Sequence, residues 1–94
     1  MSVLGKFIKQ PNEILDYDVD YTDWFSNRSD APSSIAVVVE SGITLVGSSL
    51  TGMVAKVALS GGIDGTTYTV TVRLTTDSGM VKEADFQVKV KESA

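Results

Sequence analysis

Four carboxylates stand close together near the start of the chain: Asp16, Asp18, Asp20 and Asp23. Hard oxygen donors in this pattern suggest calcium, and D-x-D-x-D opens an EF-hand loop. That loop also needs glycine at its sixth position and glutamate at its twelfth. Counted from Asp16, those positions hold Tyr21 and Asn27, so the EF-hand reading fails. A looser calcium site between loops, on Asp20 and Asp23, stays open. The favoured alternative is the solvated face of an amphipathic strand. Same-face carboxylates two residues apart on a strand sit ~7 Å apart, inside one Debye length at physiological salt. Cations from a partner subunit would relieve their repulsion.

Other chemistry is sparse. The chain has no histidine and no cysteine. That removes disulfides, Cys/His zinc sites, and Cys-His and Ser-His-Asp catalysis. Ser60-Gly61-Gly62 is not a phosphate-binding G-x-x-x-x-G-K-[ST] loop and precedes a strand rather than a helix, so it reads as a turn. No motif supports a Ser–Lys dyad. Paired carboxylates of the glycosidase type belong to larger, cleft-forming folds. Trp24 has two readings, a stacking platform for a sugar or base and a core side chain; Tyr17, Tyr21 and Phe25 nearby favour the core. No catalytic residue, cofactor or metal ligand is assigned.

The elements that must position these residues follow from composition. At 94 residues one domain is expected. Valine, isoleucine and threonine number 13, 5 and 9, a β-branched excess that suits pleated surfaces better than helices. The net charge is -4, which disfavours binding to a nucleic-acid backbone. It is uneven: residues 1–40 hold 3 basic and 7 acidic side chains, residues 41–94 hold 5 of each. No apolar run approaches the ~20 residues that span a bilayer, and Met1 to Gln10 lacks the apolar core of a signal peptide. No membrane contact is expected, and the chain is expected to stay in the cytoplasm where it is made.

Along the chain, residues 1–12 read as an extended N-terminal arm, with Lys6, Phe7 and Ile8 as candidates either for contact with a partner or for covering the domain's own edge. Residues 13–94 read as one domain. Leu15, Tyr17, Val19 and Tyr21 alternate with Asp16, Asp18 and Asp20, the signature of a half-buried strand. Thr22 or Asp23 is placed to cap a single helical turn. Ile35 to Val39 reads as a strand covered on both faces, and Ile43 to Val46 as a short strand after the Ser41-Gly42 turn. Gly47 to Gly52 reads as a polar break. Met53 to Leu59 alternates again. Tyr68, Val70, Val72 and Leu74 face in from the clearest strand, and Ala84, Phe86, Val88 and Val90 from the last, with Glu83, Asp85, Gln87, Lys89 and Lys91 outside. About seven antiparallel strands with turns every 8 to 12 residues predict an all-β, immunoglobulin-like sandwich. Gly65 to Tyr68 looks like a tyrosine corner, whose hydroxyl bonds the backbone just upstream. The expected core includes Leu15, Tyr17, Trp24, Val57, Tyr68, Val70, Val72, Phe86 and Val88.

Two stretches go beyond fold class. Lys9-Gln10-Pro11-Asn12-Glu13-Ile14-Leu15-Asp16-Tyr17, with Asp20, Asp23 and Trp24, resembles the opening of the phage fibre–tail adaptor family. Leu59-Ser60-Gly61-Gly62-Ile63-Asp64-Gly65-Thr66-Thr67-Tyr68 and the Thr75–Gly79 hairpin resemble its later signatures. Tyr21, Thr22, Ala36 and Met80 depart from the pattern. The resemblance implies a non-enzymatic virion protein of the phage tail, present as a homo-oligomeric ring or several symmetry-related copies, tethering fibres to the tail. Its partners would be other phage tail proteins, and Lys6, Phe7, Ile8, Asp16, Asp18 and Asp20 are the candidate contacts. The alternatives are a head decoration protein and a carbohydrate-binding immunoglobulin-like module.

Overall fold

A computed structural model describes the backbone of residues 3–92 and the side chains of residues 7–92. The chain forms seven strands: β1 (Val3–Lys9), β2 (Ile14–Asp20), β3 (Pro32–Val39), β4 (Ile43–Thr51), β5 (Val54–Gly61), β6 (Thr67–Thr76) and β7 (Val81–Val90). One helical turn, α1 (Thr22–Phe25), follows β2. The strands form two sheets, ordered β1-β7-β6-β3 and β2-β5-β4, in a β-sandwich-like arrangement. Between them lie Tyr17, Val19, Val57, Leu59, Tyr68, Val70, Val72, Leu74, Phe86 and Val88, all buried. Leu15 and Trp24 pack against this core but stay partly exposed.

Alternate side chains point to opposite faces, so register decides what is buried. Tyr17 faces Val57, Val70 faces Phe86, and Val72 faces Ala84 across their strand pairs. Tyr68 carries out the predicted corner: the Ile63 amide donates to its hydroxyl at 3.0 Å. Gly42 approaches the same ring with φ at +107°, and a Cβ there would lie 2.9 Å from the hydroxyl oxygen. Tyr21 donates its buried hydroxyl to the Val72 carbonyl at 3.1 Å, and burial pushes that phenol up to about 12.

Five expectations are corrected. The strands are not all antiparallel: β1 runs parallel to β7, with Phe7 beside Val88 and Lys9 beside Val90. The Gln10–Glu13 turn carries the chain from one sheet into the other, so β1 and β2 form no hairpin, and the rest of the domain serves as the crossover that parallel pairing needs. β3 is an edge strand rather than one covered on both faces; Ala36 and Val38 are exposed. Residues 47–51 are no break but continue β4, which absorbs a register shift between Leu45 and Gly47. At α1 neither Thr22 nor Asp23 is the cap: Tyr21 holds the N-cap position with no side-chain cap bond, and Asp20 Oδ1, just before it, accepts the Thr22 amide at 2.9 Å. Asp85 points to the outer face of its sheet yet is buried, and its Oδ1 has no hydrogen-bond partner among the described residues.

The far end of the sandwich is tied by Asp30. Its carboxylate accepts from the Ser78 hydroxyl at 2.6 Å, while the Asp77 amide donates to the Ala31 carbonyl at 2.9 Å. Bonds from Ser78, then from Thr76, hold the Asp30 carboxyl down to about 2. A depressed carboxylate stabilises the fold above its unfolded value and ceases to as the pH drops through the folded one.

Two outcomes follow from these contacts. Tyr68→Phe should cost about 1 kcal/mol in urea unfolding, the net worth of one hydrogen bond. Between about pH 4 and pH 2 the wild-type chain should lose the Asp30 contribution, and Asp30→Asn should flatten that part of an acid titration followed by Trp24 fluorescence.

Candidate functional site

The sheet order puts the edges β1 and β2 on one flank. β1 is the edge of the four-stranded sheet and β2 the edge of the three-stranded one. Phe7 of β1 joins them: its ring centroid lies 5.0 Å from that of Tyr17 on β2 and 5.8 Å from that of Phe86 on β7. The ring is still 42% exposed, and Ile8, pointing the other way, is 69% exposed. Asp16, Asp18 and Asp20 are exposed on the outer face of β2. The two strands therefore meet on one flank through Phe7, while Ile8 and the three aspartates face outward from opposite sheets. The Lys6 side chain lies outside the described residues.

The aspartates do not wait for a partner's cation. Asp18 sits directly opposite Lys56 on β5. The Lys56 ammonium lies 3.4 Å from Asp18 and 3.5 Å from Asp16. The hydrogen bond to Asp18, helped by the charges of both carboxylates, raises its pKa. Both ends of this bridge are half exposed to water, so it sets side-chain positions more than stability. Asp20 is occupied by Thr22, whose hydroxyl and amide both donate to Oδ1 and hold the carboxyl below its usual range. Among the described residues no group of three or more acidic side chains is placed to hold a metal ion.

Trp24 is only half buried. Its ring stacks edge-on against Phe25 at 4.8 Å, and the Arg28 guanidinium lies 4.2 Å from the indole centroid. The Lys82 ammonium approaches to 6.0 Å. Asp20, Asp23, Trp24, Lys82 and Glu83 line a shallow cleft of about 250 Å³. A stacking platform needs an open ring face, and Arg28 already lies over this one.

One feature gave no warning in the sequence. Lys9 has no accessible surface. Its ammonium donates to the main-chain carbonyls of Gly61 at 2.7 Å and Gln10 at 2.8 Å, with that of Pro11 at 3.5 Å. Burial lowers its pKa, and the Glu13 charge offsets this in part. Glu13 in turn accepts the Gln10 amide at 2.8 Å. Gly62, next to the Lys9 acceptor, has φ at +103°, and a Cβ there would lie 2.4 Å from Val90 Cγ2. Lys9, Pro11 and Glu13 from one signature and Gly61 and Gly62 from the other thus meet at one end of the sandwich. Lys9 points inward because it lies two residues from Phe7, on the same side of β1.

A family model described as "Podophage GP4 fiber-tail adaptor protein gp77" matches residues 9–89. The match opens on Lys9 and spans β2 through nearly all of β7, including both signatures that converge on that lysine. The chain belongs to this family of fibre–tail adaptor proteins. No curated protein matches it.

Lys9→Ala removes a buried side chain and strands the carbonyls it serves. It should lower unfolding stability by about 2–4 kcal/mol in urea titrations, whereas Lys56→Ala should leave the midpoint nearly unchanged because water already screens that pair.

Proposed function

We propose that the chain is a non-enzymatic connector in the phage tail, present in several symmetry-related copies and holding fibres to the tail. It would be made in the host cytoplasm and act as part of the virion. The observation that carries this reading is the family match across most of the chain. The geometry is compatible with it. A small sandwich with four exposed strand edges offers flat, rigid surfaces and little room for a deep substrate pocket.

The contacts divide by chemistry. The outer face of β2 carries three carboxylates against the single cation of Lys56, so it suits a basic surface on a tail protein. Such a contact sets register and encounter rate more than affinity. Phe7 and Ile8 offer apolar area on β1 for a neighbouring subunit. In this reading Val3–Lys9, within the N-terminal stretch 1–12, is less a free arm than a strand that borders the domain, 13–94. A carbohydrate-binding role is disfavoured by the arginine stacked over Trp24.

Isolated tails should capture the purified chain and empty heads should not; the reverse would make it a head decoration protein. Asp16→Asn with Asp18→Asn should weaken tail capture about tenfold at low salt, and the difference should fade at high salt as screening removes the attraction. Equal capture at every salt concentration would show that the acidic face is not the contact.

A further inference from the structure

The two flanks of the sandwich are unlike. On the β1/β2 flank the gap between the sheets is closed by the rings of Phe7 and Tyr17. On the opposite flank the edges are β3 and β4, and Ile35, Val37, Val39, Leu45 and Leu50 are only partly covered. Neither β3 nor β4 contains a charged residue. Soluble proteins ordinarily blunt such edges with charge, proline or a bulge. β4 has its irregularity between Leu45 and Gly47, but β3 keeps regular register from Ser34 to Val39 and has its one proline at the first position. Val38 is 46% exposed on the outer face.

We propose that the β3 edge of one copy receives the β1 edge of the next, so that the four-stranded sheet continues from subunit to subunit. This deepens the reading above, since it rests on the chain acting in several copies. Strand polarity supports it. β1 runs parallel to β7, β7 antiparallel to β6, and β6 antiparallel to β3. β1 and β3 therefore point the same way at opposite edges of one sheet. Rotating a copy about an axis along the strands brings its β1 beside β3 in parallel, the pairing that β1 already makes with β7. Each copy offers one of each edge, so the contact is head-to-tail and closes into a ring when the rotation divides a full turn.

Side chains match on both faces of the joined sheet. Outside, exposed Ile8 meets exposed Val38; inside, the uncovered part of Phe7 meets the half-covered Val37 and Val39. β3 brings no charge that would oppose them. The added strand does for β3 what β1 does for β7: it supplies backbone partners and covers the open seam.

The absence of cysteine makes the contact easy to trap. Ile8→Cys and Val38→Cys change exposed positions and should leave the fold intact, which thermal melts check. Oxidising the Ile8→Cys/Val38→Cys chain at roughly millimolar concentration, where weak contacts are populated, should give a ladder of cross-linked oligomers. A mixture of the two single variants should give mainly the mixed dimer. The control pair, Ile8→Cys with Thr44→Cys on the other sheet's edge, should cross-link several-fold more slowly. Cross-linking no faster than this control, or dominated by Ile8→Cys homodimers, overturns the proposal. Val38→Lys should abolish self-association in sedimentation while leaving the melt unchanged; association that survives it argues for a different surface. Tail capture is scored separately. A ladder without tail capture keeps the edge pairing and removes the tail reading; tail capture without a ladder removes the edge pairing alone.

Discussion

A lysine ammonium with no access to water is held in this fold by main-chain carbonyls and, among the described residues, by no carboxylate. Taking an ammonium out of water is costly unless its protons are satisfied. Lys9 meets that condition only when the Gln10–Glu13 turn and the Gly61-Gly62 loop occupy their observed places. The cost of the buried charge thereby becomes a specification. If either segment moves, the ammonium loses its partners. This one contact fixes the end of β1 against the three-stranded sheet, and the rest of that end is built around it. Gly62 can approach Val90 only without a side chain, and the Tyr68 hydroxyl stays within reach of the Ile63 amide.

That constraint bears on what the molecule can do. A strand locked at its C-terminal end presents a rigid edge instead of a loose tail. The sheet then has two defined borders, β1 and β3, of like direction. The acidic face of β2 stands beside the first border, organised by Lys56 into a fixed array rather than left as freely repelling charges. A connector needs such fixed, repeated surfaces more than it needs a cavity. Within the signatures, Lys9, Pro11, Glu13, Gly61 and Gly62 hold the body together, while Asp16 and Asp20 lie on the exposed face argued to meet a partner.

Much of this architecture was legible in the sequence because strands with one buried face announce themselves by alternation. β2, β5, β6 and β7 fell out of the pattern at Tyr17, Val57, Val70 and Phe86, and the tyrosine corner from Gly65 and Tyr68. The misreadings share a cause. A run such as Ile35 to Val39 looks the same at the centre of a sheet and at an uncovered edge, since apolar content does not say what covers it. Ser48 and Ser49 looked like a loop because an exposed edge tolerates small polar residues without ending the strand. The parallel direction of β1 depends on which sheet the chain enters after Pro11, a tertiary choice with no local marker. Asp85 was read as an outer residue, and nothing marked Lys9 as buried, because charged side chains are assigned to the surface by default. The arrangement of the contact candidates was readable only in part: the aspartates share a strand face, but the meeting of their strand with Phe7 comes from the packing of two sheets.

Native-state hydrogen exchange of the isolated chain tests the central claim most directly. If Lys9 locks β1 into the body, the paired β1 amides should exchange as slowly as those of β7, through global unfolding. Exchange of β1 orders of magnitude faster than a protected β7 would contradict the account and return the segment to the status of a loose arm.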